Sequence, residues 1–346
     1  MRPMSELRTL EWVNGHVRMI DQTRLPDRLV YVNLTNYRQI SRAIRTMVVR
    51  GAPAIGVAAG MGMALAAHAN RRKGRDVVLK ELEKAADSLR TSRPTAQNLF
   101  WAVERLLQRA RNAGLGDDIA KLVVNEAKRM AEEDIQASLN IGRYGAELIA
   151  DGDQVLTHCN TGTLATVSYG TALAPIRSAV RQGKNVKVVA TETRPRLQGA
   201  KLTTYELLSD KIPVTLIVDG AAGYVIRTGM IQKIIVGADR ITRSVVANKV
   251  GTYLIALAAQ ANNIPFYVAA PTSTFDISRE TSHVKIEERD AKEVTYINGK
   301  RTAPRGISVY NPAFDLTPVE LVKGFITERG LFTAESLSAQ RARIQA

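Results

Sequence analysis

After residue 151, short apolar segments alternate with segments of helical periodicity, and this alternation constrains the fold more than any other feature of the sequence. Strands are predicted at Gln154–Thr157, Lys187–Ala190, Pro213–Ile217, Lys233–Val236 and Pro265–Ala269. Helices are predicted between them, over residues 164–182, 202–209, 221–228 and 249–262. This pattern is typical of a parallel sheet covered by helices, in which ligands bind at the carboxyl ends of the strands.

The first part of the chain has a different pattern. Asn14-Gly15 separates two apolar segments, which predicts a β-hairpin, and a third strand is predicted at Leu29–Leu34. Helices are predicted over residues 35–48, 54–67, 77–90 and 97–113. We therefore predict an α/β protein with an N-terminal sheet-and-helix domain over residues 1–118, a bridging helix over 119–150 and a C-terminal parallel-sheet domain over 151–346.

Composition excludes several classes of protein. The chain has one cysteine, which rules out an internal disulfide and suits a reducing cytoplasm. Its longest apolar segment, Ile55–Ala67, is shorter than the ~20 residues that span a bilayer, and the N-terminus has no signal pattern, so we expect no membrane association. The net charge of +15 is dispersed and aromatic residues make up only 5%, which argues against a nucleic-acid partner. A small phosphorylated substrate fits the charge equally well.

No motif in the sequence indicates a cofactor or a metal. The GxGxxG fingerprint of dinucleotide-binding folds is absent, so a nicotinamide cofactor is not expected. Four histidines and one cysteine give no cluster with the spacing of metal ligands.

The only cysteine, Cys159, lies in the turn that follows the strand predicted at Gln154–Thr157. The next residues, Asn160-Thr161-Gly162-Thr163, precede a helix predicted to begin near Leu164. Backbone N–H groups at such a turn can bind an anion, and a helix N-terminus can lower the pKa of a thiol. The alternative is that Cys159 is a buried packing residue, and sequence alone leaves the two about even.

Other candidate residues follow neighbouring strands. Asp239 comes after a very apolar strand, where burial would raise its pKa and suit it to proton transfer; the alternative is an N-cap for a following helix. Asn248 and Lys249 are predicted at a helix start, where an amide and an ammonium can bind a hydroxyl or a phosphate. Gln198 lies in a polar loop over residues 191–199.

Two arginines occupy similar positions in the N-terminal part. Arg50 stands ahead of the helix that contains Pro53, and Arg93 precedes a proline at the entry to the next helix. Arginines at helix N-termini can bind anions, although a solvated arginine gives the same sequence pattern. A thiol, a carboxylate and several cations, without cofactor or metal, predict proton transfer on a small phosphorylated molecule, and isomerisation is the reaction class that this favours.

Six motifs together resemble the methylthioribose-1-phosphate isomerase family. They are Arg-Gly-Ala-Pro-Ala-Ile-Gly (50–56), Ser-Arg-Pro-Thr (92–95), Thr-His-Cys-Asn-Thr-Gly-Thr-Leu-Ala (157–165), Glu-Thr-Arg-Pro with Leu-Gln-Gly-Ala (192–200), Gly-Ala-Asp-Arg-Ile (237–241) and Ala-Asn-Lys-Val-Gly-Thr (247–252). The resemblance implies a cytoplasmic homodimer with a C-terminal Rossmann-like domain, which acts in methionine salvage on 5-methylthioribose 1-phosphate. It also implies site roles: Cys159 and Asp239 would be the catalytic pair, and the substrate-binding positions would be Arg50, Gly51, Ala52, Arg93, Gln198, Asn248 and Lys249.

The wider family leaves alternatives open. It includes ribose-1,5-bisphosphate isomerases and non-catalytic regulatory subunits of a translation-initiation exchange factor. The cysteine–aspartate pair favours an enzyme, and the motif at 50–54 is closer to the methylthioribose enzymes. Two segments depart from the usual pattern: residues 241–247 lack an Asn-Gly turn, and residues 218–222 lack an Asp-Asn-Met type sequence. Ribose 1,5-bisphosphate and 5-deoxyribose 1-phosphate therefore remain alternative substrates.

Overall fold

The computed structural model describes residues 3, 6–94, 96–114, 116–277 and 286–335. The predicted domain limits at residues 1 and 346, and Thr95 of the 92–95 motif, lie outside these residues. The described chain begins with an antiparallel sheet of β1 (Leu10–Val13), β2 (His16–Ile20) and β3 (Tyr31–Leu34), in that order. Asn14 and Gly15 both have positive φ, as a tight hairpin turn requires, so the predicted hairpin is confirmed.

Five helices follow and pack around the second of them. They are α1 (Tyr37–Arg45), α2 (Ala52–Ala69), α3 (Arg75–Arg90), α4 (Gln97–Arg111) and α5 (Ile119–Ala146). Helix α2 contacts each of the other four, and its residues from Ala52 to Ala67 are all buried. By length and composition alone α2 could cross a membrane, but 89% of it is buried inside the protein. It is a core helix, rich in alanine and glycine because its neighbours approach closely.

Helix α5 extends from this helical region to the second half of the chain. It has 28 residues and a length of about 42 Å, and the Asp118 side chain caps its N-terminus. It packs against α2 and also against α6 (Leu173–Arg181). A long helix therefore begins at the predicted residue and ends at Ala146, while its bridging role and the domain boundaries on either side stay a prediction.

The second half contains a seven-stranded sheet. Its strands are β4 (Gln154–Thr157), β5 (Lys187–Thr191), β6 (Val214–Ile217), β7 (Lys233–Val236), β10 (Phe266–Ala269), β14 (Gly324–Thr327) and β15 (Gly330–Phe332). The order is β15-β14-β10-β7-β4-β5-β6, and only β15 pairs antiparallel to its neighbour. In the centre, Leu156 lies opposite Val189 on one side and Ile234 on the other. The predicted α/β class with a mostly parallel sheet is confirmed.

Short helices and a second, antiparallel sheet complete the described chain. The remaining elements are α7 (Thr204–Ser209), α8 (Ala222–Arg227), β8 (Arg240–Ile241), β9 (Val245–Lys249), α9 (Thr252–Ala261), α10 (Lys292–Thr295), β11 (Tyr296–Ile297), β12 (Lys300–Arg301) and β13 (Phe314–Pro318). Strands β13, β9 and β8 form the antiparallel sheet, and β11 pairs with β12.

The predicted helix start at Asn248 and Lys249 is wrong, because both residues lie in β9. Pairing with β13 keeps this segment extended. Helix α9 begins three residues after Lys249, and its first turn is capped from β13: the Asp315 carboxylate accepts from the N–H groups of Gly251 and Tyr253 at 2.7 and 3.1 Å.

The prediction of a helix that begins near Leu164 is also wrong. The structure has a 3-10 turn at Thr163–Ala165, and α6 begins only at Leu173. The intervening loop folds back on itself, since the N–H of Thr171 donates to the carbonyl of Thr161 at 2.8 Å. No long helix therefore starts directly after Cys159.

Candidate active site

The predicted site residues come from both halves of the chain, and several of them approach one another where the carboxyl edge of the sheet faces the helical region; we call this region the cleft. Cys159 and Asp239 follow β4 and β7, which are neighbours in the sheet, at its carboxyl edge. Arg50 and Arg93 precede α2 and α4 and approach from the helical region. The carboxylate of Asp239 lies within the electrostatic influence of both arginines and of Lys249. We call the loop after β4, with the residues packed against it, the Cys159 side. We call the loop after β7 and β9, with the residues packed against them, the Asp239 side.

Cys159 has a backbone conformation that few residues adopt. Its φ is +65°, in the left-handed region, which costs free energy for any residue except glycine. Side chains hold it there: its N–H donates to Thr193 Oγ1 at 2.9 Å, and its carbonyl accepts from Thr203 Oγ1 at 2.6 Å. Cys159 is 8% exposed. It is therefore buried, as in the packing interpretation, yet its strained and anchored backbone is typical of a functional residue.

Asp239 does not cap a helix, because the antiparallel strand β8 follows it, so that alternative is wrong. Burial raises the pKa of its carboxyl, and Arg93, Lys249 and Arg50 counteract this, in decreasing order. The predicted direction of the shift is therefore confirmed: the Asp239 carboxyl is easier to protonate than an exposed one.

Lys249 faces both catalytic candidates. Burial lowers the pKa of its ammonium, while the nearby Cys159 and Asp239 raise it. Its Nζ donates to the carbonyl of Ala313 at 2.5 Å and lies 4.9 Å from the centre of the Phe314 ring. A largely buried cation thus lies within electrostatic range of both Cys159 and Asp239.

The adjacent Asn248 is 3% exposed, and its Nδ2 donates to Thr252 Oγ1 at 3.1 Å. This bond fixes the amide at the start of α9. Its contact with a substrate stays a prediction.

His158, which sequence analysis did not single out, connects the two sides. Its Nε2 lies 2.9 Å from the carbonyl of Val250, and its Nδ1 lies 2.6 Å from Thr191 Oγ1. A carbonyl can only accept, so Nε2 carries the proton and Nδ1 accepts from the threonine hydroxyl. Burial lowers the pKa of this imidazole, which favours the neutral ring that such bonding requires.

Arg93 has two charged neighbours that the sequence pattern did not reveal. Its Nε lies 3.8 Å from Glu287, whose other oxygen accepts from Arg289 Nη1 at 2.9 Å. Burial lowers the pKa of the Arg93 guanidinium, and Asp239 and Glu287 oppose that effect. Glu287 and Arg289 lie outside every predicted element, so no periodic signal could have identified them. They add one carboxylate and one cation beside Asp239.

Arg50 binds the loop that carries Cys159. Its Nη1 donates to Asn160 Oδ1 at 2.5 Å, and its Nη2 donates to the Asn160 carbonyl at 2.7 Å. The next residue, Gly51, has φ +96°, and a Cβ there would lie 2.5 Å from Cα of Ala165. Glycine is therefore required where α2 approaches the catalytic loop, and α2 begins at Ala52 directly beside it.

A small pocket of about 150 Å³ adjoins Arg50, and we call it the Gln198 pocket. The other residues that line it are polar and apolar: Gln22, Thr23, Leu25, Met47, Arg196, Gln198, Lys201 and Leu202. Sequence analysis identified only Gln198 and Arg50, because no motif marks the other lining residues.

The turn after Cys159 does not present all its N–H groups to a ligand. Those of Thr163 and Leu164 donate to the buried carboxylate of Glu206, at 2.7 and 3.2 Å. The predicted anion site is thus occupied, at these two groups, by the protein's own side chain. In the part of the chain that the structure describes, no group of three or more His, Cys, Asp or Glu side chains could hold a metal ion.

A model of one protein family, the initiation factor 2 subunit family (IF-2B), matches residues 48–334. The chain belongs to the initiation factor 2 subunit family. Within that IF-2B family, the chain is 50% identical to the methylthioribose-1-phosphate isomerase of Geobacter metallireducens over 342 residues, which cover 98% of this chain and 99% of the relative.

Two solved structures of IF-2B proteins are similar over nearly the whole chain. One is 5-methylthioribose 1-phosphate isomerase from Pyrococcus horikoshii, with 41% identity, a TM-score of 0.89 and coverage of 97% of this chain and 96% of that one. The other is described as translation initiation factor eIF-2B, subunit delta, from A. fulgidus, with 46% identity, a TM-score of 0.87 and coverage of 98% and 99%. The resemblance drawn from the sequence motifs is therefore confirmed.

Proposed function

We propose that this chain is an aldose–ketose isomerase that converts 5-methylthioribose 1-phosphate to 5-methylthioribulose 1-phosphate in methionine salvage. The observation that carries the proposal is the grouping of a fixed thiol, Cys159, and a carboxyl of raised pKa, Asp239, around the buried Lys249. The 50% identity to a relative named methylthioribose-1-phosphate isomerase supports the choice of substrate.

In the proposed mechanism Asp239 is the acid that opens the sugar ring. The anomeric phosphate locks the substrate as a cyclic acetal, so the C1–O4 bond breaks only if O4 receives a proton. Because burial raises the pKa of the Asp239 carboxyl, it keeps its proton to a higher pH than an exposed aspartate does, and it can donate that proton to O4. The resulting carboxylate then accepts the proton of the C2 hydroxyl as C2 becomes the ketone, which restores Asp239.

Between these steps one hydrogen moves from C2 to C1, and we assign Cys159 to this transfer. Two routes balance: the thiolate removes the C2 hydrogen as a proton and returns it to C1 through an enol, or a hydride shifts directly from C2 to C1 beside the sulfur. The anchored backbone of Cys159 would hold the sulfur at these carbons in either route.

We assign substrate binding to the cations and amides of the cleft. Arg93 and Lys249, with Gly51 and Ala52 at the N-terminus of α2, would bind the phosphate, while Arg50, Gln198 and Asn248 would bind the sugar. Partial exclusion of water strengthens each of these charge interactions.

The Gln198 pocket is a candidate site for the C5 substituent. It contains the basic residues Arg50, Arg196 and Lys201, which would favour a 5-phosphate, next to the apolar Leu25, Met47 and Leu202. However, Arg196 is already paired with Glu293 at 2.6 Å, and Arg50 donates to Asn160. The apolar lining therefore favours a methylthio group over a second phosphate.

We also propose that the enzyme is a cytoplasmic homodimer. The edge strand β6 and the helices α8 and α9 expose large apolar side chains, among them Leu216, Val218, Tyr224 and Leu254, which are 48–71% exposed. Apolar patches of this kind are unusual on a monomer's surface and support a subunit interface. Leu254→Lys should convert the dimer to a monomer in sedimentation velocity. Wild-type protein that sediments as a monomer at micromolar concentration would contradict the homodimer.

The function is tested by phosphorus and proton NMR of the purified protein with 5-methylthioribose 1-phosphate, ribose 1,5-bisphosphate and 5-deoxyribose 1-phosphate in parallel reactions. We expect ketose signals from the methylthio sugar and little from the others. Conversion of another sugar would keep the mechanism and change the substrate. A second candidate function, a non-catalytic regulatory subunit, is favoured by the similarity to the structure described as an eIF-2B subunit. No conversion of any of the three sugars would support it.

A further inference from the structure

The loop from Cys159 to Leu164 closes around a carboxylate from another element. Glu206 in α7 is 0% exposed. Its Oε1 accepts from Asn160 Nδ2 at 2.9 Å and from the Leu164 N–H at 3.2 Å. Its Oε2 accepts from the Thr163 N–H at 2.7 Å. Three donors of the catalytic loop therefore converge on one buried side chain.

The charge of Glu206 is balanced inside the protein. Arg177 in α6, which is 2% exposed, donates from Nη2 to Glu206 Oε2 at 2.7 Å and to Asp210 Oδ2 at 2.6 Å. Its Nη1 donates to the carbonyl of Tyr169 at 2.5 Å, in the loop downstream of the same turn. With Arg177 included, the two oxygens of Glu206 accept four hydrogen bonds, so this carboxylate is fully occupied.

The loop contains a glycine where it meets Glu206. Gly162 has φ −94°, a conformation open to any residue, so its backbone does not explain the glycine. A Cβ at this position, however, would lie 2.2 Å from Glu206 Oε2. Close packing of the carboxylate against the loop is therefore the reason that residue 162 has no side chain.

Asn160 connects Glu206 to Arg50 by hydrogen bonds. It donates from Nδ2 to Glu206, while its Oδ1 and its carbonyl accept from Arg50. The amide can therefore adopt only one orientation, and this orientation fixes the guanidinium of Arg50. Cys159 is the residue directly before Asn160, so the same contacts also restrain the backbone that carries the thiol.

We propose that Glu206 is a positioning residue: it serves as a permanent internal anion around which the catalytic loop folds, and it fixes Cys159 and Arg50 without touching the substrate. The catalytic part of this inference rests on the isomerase function proposed above. Its structural part, that Glu206 holds the loop, is independent of the substrate. It follows that the substrate phosphate is bound by other groups than the N–H groups of Thr163 and Leu164.

Glu206→Gln tests the proposal. The amide has the shape of the carboxylate, but its NH2 group would face hydrogen-bond donors of the loop or of Arg177 and could not accept from them. Cys159 is the only cysteine, so its alkylation by iodoacetamide reports on the loop without any substrate. We expect alkylation at least ~10-fold faster than in the wild type, since a loosened loop opens more often. We also expect kcat for 5-methylthioribose 1-phosphate to fall by roughly 100-fold, as when catalytic groups are displaced by about 1 Å.

Two further variants separate positioning from simple stabilisation. Asp210→Asn breaks the other ion pair of Arg177 and leaves the carboxylate of Glu206 in place, so it should lower the melting temperature but keep kcat and the alkylation rate within about twofold of the wild type. Gly162→Ala keeps every charge and pushes Glu206 away from the loop, so it should reproduce the effects of Glu206→Gln, and it serves as the test if Glu206→Gln does not fold.

The outcomes are distinct. Unchanged kcat and unchanged alkylation in Glu206→Gln, or equal losses in Glu206→Gln and Asp210→Asn, would overturn the positioning role. Accelerated alkylation in Glu206→Gln and Gly162→Ala, together with wild-type protein that converts none of the sugars, would support the structural role of Glu206 and reject the proposed function.

Discussion

The two sides of the cleft treat buried charge in opposite ways. On the Cys159 side, Glu206 and Arg177 are fully buried and form a hydrogen-bonded ion pair at 2.7 Å. On the Asp239 side, Arg93 is 3.8 Å from Glu287, and Lys249 donates to a carbonyl instead of a carboxylate. Burial shifts the pKa of both Asp239 and Lys249 toward neutrality.

This difference separates two tasks. Closely paired charges stay ionised and hold a backbone in place, whereas a buried charge without a close partner gains or loses its proton more readily than in water. The Cys159 side is therefore organised for geometry and the Asp239 side for proton transfer. Each of the following variants tests that division.

The largest expected effect comes from the catalytic pair. Asp239→Asn and Cys159→Ser should each lower kcat by about 100-fold to about 10,000-fold, because each removes a group that acts on the reacting atoms. Both variants should retain the wild-type circular dichroism spectrum and should still bind substrate in calorimetry. Wild-type turnover in either variant would remove that residue from the mechanism. If Asp239→Asn does not fold, the charge of Asp239 is needed for the structure, and the Asp239 side is then not organised for proton transfer alone.

A matched pair of arginine variants gives the next largest effect. Arg177→Met leaves the buried carboxylate of Glu206 without its cation, so the free energy of unfolding should fall by about 3–5 kcal/mol. Arg93→Met removes a guanidinium that lies 3.8 Å from its carboxylate neighbour, so it should lose less stability than Arg177→Met while turnover falls. Urea denaturation and initial rates measure both quantities. Equal destabilisation by the two substitutions would show that the sides do not differ.

Sequence reasoning predicted the elements whose signals are local. The hairpin at Asn14-Gly15, the long helix α5 and the central strands β4 and β7 are confirmed. It missed β8, β9 and β13, because β9 is stabilised by pairing with a strand more than 60 residues later, and its own residues read as a helix start. Periodicity within a short window carries no information about such a partner.

The site shows the same limit. Motifs identified the residues that the structure brings to the cleft, but not the groups that hold them. Glu206 lies 47 residues after Cys159, in a helix of six residues whose sequence has no distinctive motif. Its importance comes only from the loop that folds onto it. Conversely, the turn after Cys159 was predicted to bind an external anion, and two of its N–H groups bind this internal one. N–H groups of this turn do bind an anion, but which anion they bind is decided by the tertiary structure.

The smallest effect concerns a carboxyl beside the loop that follows Cys159, Asp134, for which the described part of the chain shows no ion-pair partner. Asp134 in α5 accepts from the Val167 N–H at 2.6 Å, and burial raises its pKa from 3.8 to about 7. A raised pKa in the folded state means that the protonated form is favoured by folding. This contribution to stability is complete below pH 4 and is lost as the pH rises to about 7.

We therefore expect the urea midpoint of the wild type to fall between pH 4 and about 7 by an amount that Asp134→Asn abolishes. The side chain of Asp134 is partly exposed and solvent screens its charge, so we expect this fall to be smaller than the loss in Arg177→Met. Measurements at one-unit pH steps, with Glu132→Gln as an exposed control inside the same helix, isolate this group. If Asp134→Asn leaves the pH dependence of the urea midpoint unchanged, Asp134 is ionised, and the buried charges of the Cys159 side all serve to hold the backbone. If the pH dependence disappears in Asp134→Asn, the Cys159 side contains one carboxyl that exchanges a proton, and the two sides differ only in how many such groups they have.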